Sequence, residues 1–330
     1  MEINKLCKDA HENAVKHGFC NVLSLFDGIS CGQIALERAK IKVDKYYASE
    51  IKTHAIKITQ ANYPNTIQLG DITYIDDIII KKIGKIDLMI GGSPCQDISL
   101  ANRNGNGIYD PNSGLFWEYL RLLREIKPKY FLLENVVGRK SSIDAITNWL
   151  GVKPIMINSS LVAPQQRRRY YWTNIPGIEQ PQDKGLLLKD TQTLDGDNDM
   201  NLYGSEKFQA HIIKKLLMND KWVTCGDDKA QCLTAGGVNK WNCTVFKTDK
   251  GYRKPSHREC EAWQTVPQNY TNVKGVSNSQ VYDVLGDGWT VDVIAGILKN
   301  IKENKELILK IQRVHRENNK EIFIEKQKQR

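Results

Sequence analysis

Residues 20–28, Cys-Asn-Val-Leu-Ser-Leu-Phe-Asp-Gly, decide how the chain is read. The apolar run from Cys20 to Phe26 has the length of a buried strand, and Asp27-Gly28 ends it in a turn. Helical spacing follows at once, with Ile34, Ala35 and Ala39 on one face between Gly32 and Lys40. The same alternation repeats outward. Tyr46–Ser49 reads as a second strand closed by Glu50, with a helix over 51–61. Ile86–Ile90 reads as a third, running into Gly91-Gly92-Ser93-Pro94-Cys95. Leu115–Ile126 has an amphipathic helical pattern, Tyr130–Leu133 is a strand ending at Glu134, and Tyr170–Thr173 is another. Strands that alternate with helices predict an α/β fold, a mostly parallel, doubly wound sheet with crossover helices.

The rhythm fades after Asn174. Residues 181–257 mix short helical and strand signals with Gly, Asp and Asn, which suits a second, smaller domain. Regular pattern returns at 258, with helices expected over Ser279–Leu285 and Trp289–Ile301 around Gly286-Asp287-Gly288. The expected organisation is an N-terminal helical extension over 1–18, a main domain over 19–180, the smaller domain over 181–257, a return to the main domain over 258–302, and a charged tail over 303–330.

The 330 residues are 41% hydrophobic and 26% charged, an ordinary balance for a globular protein. The first residues lack the apolar run of a signal peptide, and no stretch approaches the roughly 20 apolar residues that span a bilayer. A cytoplasmic protein is expected, with no membrane partner and a monomer as the default. Lys and Arg number 47 against 38 Asp and Glu, a net charge of +9 that suits a polyanionic partner. About half of that surplus lies in 299–330, with ten basic and five acidic residues, where a solvated helix face is the simpler account. The eight cysteines form no C-x-x-C pair and have no accompanying His cluster, so no metal site is expected.

Ligands of open parallel sheets bind outside the carboxyl ends of the strands, and three groups fall there. Phe26 to Gly32 places glycines at a strand-to-helix turn, where a ligand can approach the backbone. Glu50 ends the next strand, where an acid can bind ribose hydroxyls. Cys95 follows a rigid Ser-Pro turn and precedes a Gly- and Asn-rich loop over 102–114, a setting for an exposed, reactive thiol rather than a packed one. Glu134 ends an apolar strand, where burial favours the neutral carboxyl and lets it donate a proton. Each also has a plain structural reading: a tight turn, a strand cap, a satisfied buried acid.

Together these residues resemble the DNA cytosine C5-methyltransferase family, from about residue 20 to 300 and in the family's motif order. Phe26–Gly32 resembles the cofactor loop, Ala48-Ser49-Glu50 the ribose acid, and Gly70-Asp71-Ile72 the adenine-contacting segment. Pro94-Cys95-Gln96 resembles the nucleophile motif, Glu134-Asn135-Val136 the E-N-V motif, and Gln165–Arg169 the Q-x-R-x-R motif. His257–Pro267 resembles the segment after target recognition, and Ser279–Val291 the last motif, which returns to the cofactor domain. The wording SLFDGI, S-P-C and Gly286-x-x-Trp289 is similar to the de novo animal enzymes, whereas the short chain, rich in Lys, Asn and Ile, suits a bacterial or phage enzyme. Two departures stand out. Gly286-Asp287-Gly288-Trp289 replaces the usual Gly-Asn-Ser/Ala-Val, and Cys232-Leu233-Thr234 stands where Thr-Leu is common.

The resemblance implies a Rossmann-like, S-adenosylmethionine-dependent methyltransferase fold with a target-recognition domain that binds double-stranded DNA. It implies Cys95 as the nucleophile on carbon 6 of a flipped cytosine and Glu134 at its N3. Arg169 is expected at the cytosine O2, and Arg167 on a phosphate or Glu134. S-adenosylmethionine, leaving as S-adenosylhomocysteine, is expected against Phe26, Asp27, Gly28, Ile29, Gly32, Glu50, Ile51, Asp71, Ile72, Pro94, Leu115, Asp287, Gly288 and Trp289. Substrate contacts are expected from Ser93, Gln96, Asn135, Val136, Gln165, Thr234, Gly236 and Gly237. Two alternatives compete within the family: methylation of transfer RNA, whose enzymes carry a Cys-Phe-Thr that this chain lacks, and a catalytically silent DNA-binding homologue. A nucleotide-binding dehydrogenase would leave Cys95, Glu134 and the arginines unexplained.

Overall fold

Val22–Leu25 forms β1, and all four of its residues are buried because helices cover both faces of the sheet. The computed structural model describes residues 20–94, 114–218, 220, 223–226, 228–235 and 244–301. Within them, β2 (Tyr46–Ser49), β3 (Ile67–Gln68), β4 (Leu88–Gly92), β5 (Tyr130–Val136), β6 (Ile155–Asn158) and β7 (Arg168–Thr173) join β1 in one sheet, in the order β3-β2-β1-β4-β5-β7-β6. The pairs from β3 to β5 are parallel. β7 runs antiparallel to both β5 and β6.

The connecting helices are α1 (Cys31–Arg38), α2 (Thr53–Asn62), α3 (Asp77–Ile83), α4 (Gly114–Ile126) and α5 (Lys140–Leu150). Strand side chains alternate between two cores, as the period of two requires. Val22, Ala48, Ile90 and Leu132 join one, with Ile34, Ala35 and Ile58 of α1 and α2. Leu23, Tyr47, Met89 and Leu133 join the other, with Phe116, Tyr119 and Ile146 of α4 and α5. The strands expected over 20–26, 46–49, 86–90, 130–133 and 170–173 correspond to β1, β2, β4, β5 and β7, with ends shifted by up to three residues; the two short strands β3 and β6 were not anticipated.

Beyond β7 come α6 (Leu194–Asn198), α7 (Glu206–Leu217) and a three-stranded sheet of β8 (Thr224–Cys225), β9 (Thr244–Thr248) and β10 (Gly251–Arg253). Phe208, Ile212, Val223 and Val245 form its small core. Arg253, fully buried, ties the sheet to its surroundings through Glu259 and Asp197, both at 2.7 Å. The chain then returns through α8 (His257–Trp263) and α9 (Asn278–Asp287) to a helix, α10, over 291–301. Ser256 with Glu259 and Ser277 with Gln280 form capping boxes that start α8 and α9. Val281, Leu285, Val291 and Ile294 then pack into the same core as α1 and α2.

Candidate active site

At the end of β1 the backbone takes an unusual course. Phe26, Gly28 and Ser30 all have left-handed φ values, 57°, 58° and 56°. Only glycine adopts that region without cost, so the turn is held by its surroundings. The buried Asp27 carboxyl accepts from the hydroxyl of Ser30 and, at 2.7 Å, from that of Tyr46. Burial, with a smaller push from the Glu50 charge, moves Asp27 up to about 6 against the hydroxyl groups that favour its charged form. Gly28 N–H donates to Glu50 Oε2 at 2.7 Å, and the N–H groups of Ile51 and Lys52 donate to Glu50 Oε1 at 2.8 Å. Glu50 thereby fastens the ends of β1 and β2 together.

This end suits a nucleoside-bearing cofactor. A carboxylate stands at the strand end, and open space lies where a Cβ of Gly28 would be. Ile51 presents an apolar side chain that is 68% exposed. Asp71 caps the short helix Ile72–Tyr74, accepting from Thr73 N–H at 2.9 Å. Four of the expected cofactor residues have other duties. The Ile72 side chain is buried in the core. Gly32 lies in α1, where a Cβ would meet Ile90 Cδ1 at 2.5 Å and Tyr46 Oη at 2.7 Å, so it serves helix–sheet packing. Ile29 is likewise core, and its carbonyl accepts from Tyr270 Oη at 2.7 Å. Leu115, partly buried, packs on the core beneath α4.

Glu134 occupies the corresponding end of β5. The antiparallel pairing sets Arg169 opposite Val136, hence diagonal to Glu134 on one face. Arg169 Nε meets Glu134 Oε1 at 2.8 Å, with both side chains largely buried. The other oxygen, Oε2, accepts from Trp289 Nε1 at 3.1 Å. Gly92 stands opposite Glu134 on β4, and a Cβ there would lie 2.9 Å from both Glu134 Oε2 and Trp289 Nε1. Ser93 follows, buried; its carbonyl and hydroxyl accept from Asn135 Nδ2 at 3.2 and 3.0 Å. Asn135 thus anchors the turn that leads through the exposed Pro94 toward position 95.

A family model of C-5 cytosine-specific DNA methylases matches residues 20–194, just over half of the chain. The chain belongs to that family. A Bacillus phage rho11s orphan methyltransferase, M.Rho11sI, is 31% identical over 215 residues, covering 61% of this chain and 40% of that protein. The chain therefore spans well under two thirds of the phage relative. The type II methyltransferase M.Bsp6I of Bacillus sp. (strain RFL6) is 27% identical, covering 85% of this chain and 98% of the relative. Among solved structures, Entamoeba histolytica EhMeth superposes with a TM-score of 0.70 at 22% identity, covering 86% of this chain and 98% of its own. Schizosaccharomyces pombe (S. pombe) Dnmt2 gives 0.65 at 20% identity, covering 87% and 99%. The mostly parallel seven-stranded sheet with flanking helices is the S-adenosylmethionine-dependent methyltransferase fold.

Several expected contacts take a different form. Arg167 does not reach Glu134 among the described contacts. It is 3% exposed and donates to the carbonyls of Leu233 (2.8 Å), Gly286 (3.2 Å) and Gly288 (2.8 Å). A guanidinium at the carboxyl end of α9 satisfies carbonyls that the helix leaves open. Gln165, expected at the substrate, is fully buried and bonds Trp263 O, Gln264 Oε1 (3.0 Å) and Leu233 N–H (3.2 Å). Asp287 is paired with Lys52 at 2.8 Å, and Trp289 faces Glu134. Thr234 is exposed, and its backbone lies so close to α9 that a Cβ on Gly286 would come within 2.2 Å of the Thr234 carbonyl carbon. Cys95, Gln96, Gly236 and Gly237 lie outside the described residues, as do the expected segments 1–18 and 303–330.

Three residues of this site carried no role in the sequence reading. Gly92 was visible only as part of a Gly-Gly turn. Gln264 is buried and donates to the carbonyls of Leu285 (2.7 Å) and Gly288 (3.1 Å), a contact no local pattern announces. Cys232 Sγ lies 3.5 Å from Arg167 Nη1 and 3.9 Å from Arg169 Nη2. Burial alone would raise that thiol, but the two guanidiniums bring it below the ordinary value. Burial pushes Cys20 and Cys31 up to about 12. Two arginines spaced two apart, with a cysteine in place of threonine, were the available signal.

Proposed function

We propose that this chain methylates carbon 5 of cytosine in duplex DNA, through a transient bond between Cys95 and carbon 6. The observation that supports the reading best is the setting of Glu134. It is buried between Arg169 and Trp289, one strand away from Ser93-Pro94, the residues that lead into Cys95. The matching family, described as C-5 cytosine-specific DNA methylase, favours DNA as the substrate. Residues 19–180 with 258–302 are assigned to catalysis, and 181–257 to reading the target from the major groove.

Each residue then has defined work. Flipping the base out of the stack costs a few kcal/mol, and the pocket must return it through contacts. The Cys95 thiolate adds to carbon 6, dividing one difficult step into easier ones. Glu134 holds N3 and, once it has taken up a proton, delivers it there, so that electron density collects on carbon 5; loss of the carbon 5 proton and release of the Cys95 thiolate then close the cycle. Arg169, with five fixed donors, can reach the cytosine O2 while keeping contact with Glu134. The Gly28 backbone, Glu50, Ile51 and Asp71 would hold S-adenosylmethionine, which when bound supplies a methyl group on a sulfonium centre.

Incubation with S-adenosylmethionine and duplex DNA containing 5-fluorocytosine tests the reading. A covalent protein–DNA adduct is expected, and Cys95→Ala should abolish it. Methylation of transfer RNA with no adduct on duplex DNA would show that the substrate is assigned wrongly.

A further inference from the structure

We infer that Trp289 is a positioning residue that fixes the orientation of the Glu134 carboxyl, rather than a wall of the cofactor site. The inference rests on the reading of Glu134 as the group that holds the cytosine.

The geometry comes from three distant pieces of chain. Trp289 Nε1 donates to Glu134 Oε2 at 3.1 Å across 155 residues of sequence. Gly92 gives the two groups room, since any side chain there would start 2.9 Å from both atoms. The indole itself is fixed. Trp289 is 9% exposed and packed in the core that carries α1 and α10. Its neighbours on each side are fastened as well. Gly288 O accepts from Arg167 and Gln264, and Thr290 Oγ1 donates to Gln264 Oε1 at 3.0 Å. A buried indole N–H usually finds a partner, and here the partner is the reactive acid.

The two donors on Glu134 differ in kind. Arg169 has a flexible stem and further donors, so it can turn toward a bound base. Trp289 has one donor, no acceptor and no titration, on a ring that packing prevents from moving. With Arg169 shared between the base and Oε1, Trp289 still holds Oε2 and fixes the plane in which Oε1 meets the substrate. A carboxyl free to rotate would present N3 with a range of geometries, and misplacement of about 1 Å costs on the order of 100-fold.

The test replaces Trp289 with benzothienylalanine, a tryptophan isostere whose ring carries sulfur in place of the N–H, with Trp289→Phe as a second variant. Loss of one hydrogen bond to a charged group should lower kcat at least about tenfold. KM for DNA and Kd for S-adenosylmethionine should stay within error for the isostere, and any fall in Tm should leave it folded at the assay temperature. In a Glu134→Gln background the isostere should have no further effect, because the two residues act as a unit. A weaker Kd for the cofactor with kcat unchanged would return Trp289 to the cofactor wall and overturn the inference. Unchanged kinetics, or a kcat loss that simply follows a fall in Tm, would also overturn it. Full activity in Glu134→Gln, or no methylation by the unaltered protein, would instead remove the reading on which the inference rests.

Discussion

Asp27 and Glu134 close two strands of one sheet and are almost equally buried, at 8% and 7% exposure. Their partners differ. Asp27 receives hydroxyl groups from Ser30 and Tyr46, with no cation among its described contacts. Glu134 receives the guanidinium of Arg169 and the N–H of Trp289. Burial raises Asp27 to about 6, so its charge is expensive, and what it secures is the shape of a strained turn. Glu134 has its charge balanced and its direction set. Two acids at like positions in a fold are thus given separate work by the donors around them. The β1 end, where we propose the cofactor binds, relies on backbone shape, and the β5 end, where we propose the reaction takes place, relies on paired side chains.

The largest expected effect comes from breaking the pair at the reacting end. Arg169→Met leaves Glu134 buried without its cation, which should cost about 3–5 kcal/mol of stability near neutral pH. Glu134→Gln should relieve most of that loss in the double variant, since the unpaired charge is then gone. Urea denaturation of the two single variants and the double variant measures both numbers. A loss below about 1 kcal/mol for Arg169→Met would mean that water reaches Glu134, and the contrast with Asp27 would fail.

Asp27 should respond to pH in the opposite sense from a salt-bridged acid. Its folded value, about 6, lies above the ordinary 3.8, so the folded protein binds the proton more tightly. The resulting stabilisation is complete below pH 3.8 and is lost as pH rises through about 6. The difference corresponds to about 3 kcal/mol. Asp27→Asn cannot ionise, so its stability relative to the parent should improve across that window. Denaturation curves at pH 4 and pH 7 would check it. Parallel pH dependences for parent and variant would show that Asp27 is solvated after all.

Much of this arrangement could be read from sequence, for identifiable reasons. β1, β2, β4 and β5 announce themselves because burial on both faces demands unbroken apolar runs. β6 escaped notice because its side chains are partly exposed, Met156 to 41%, which blurs the pattern. β3 has only two residues, too few for any period to show. The antiparallel insertion of β7 depends on pairing, which no local signal encodes. Residues at strand ends were legible as candidates; their partners were not. Arg167 and Arg169 are two residues apart, yet one closes off the carbonyls around α9 and the other faces Glu134. Gln165 looked like a substrate contact and is a fully buried link between Trp263, Gln264 and Leu233.

A smaller effect is expected where Glu134 meets its neighbours. Gly92→Ala places a methyl group against Glu134 and Trp289, and overpacking of a buried site costs about 1–3 kcal/mol. The loss of turnover should exceed what that destabilisation explains, because the displaced atoms are those of the acid and its indole donor. Stability and initial rates measured at low temperature, where the variant stays folded, separate the two. An equal change at Gly32, whose Cβ would meet Ile90 and Tyr46 instead, should cost stability without displacing Glu134 or Trp289.

The smallest effect belongs to a third carboxylate arrangement, at the edge of the cofactor end. Lys52 Nζ bridges Asp283 at 2.7 Å and Asp287 at 2.8 Å, joining α2 to α9, but the three side chains are 39%, 32% and 56% exposed. Burial works against the Lys52 charge and the two aspartates outweigh it, raising its pKa. Water screens most of that attraction, so Lys52→Ala should cost less than about 1 kcal/mol. The cost should vanish in about 1 M salt, where the screening length falls to about 3 Å. The Arg169→Met penalty should persist under the same salt, because the pair it breaks is enclosed by protein. Equal salt sensitivity in the two variants would mean that Glu134 and Arg169 are as open to solvent as Lys52, and the reacting end would lose the dry setting that distinguishes it.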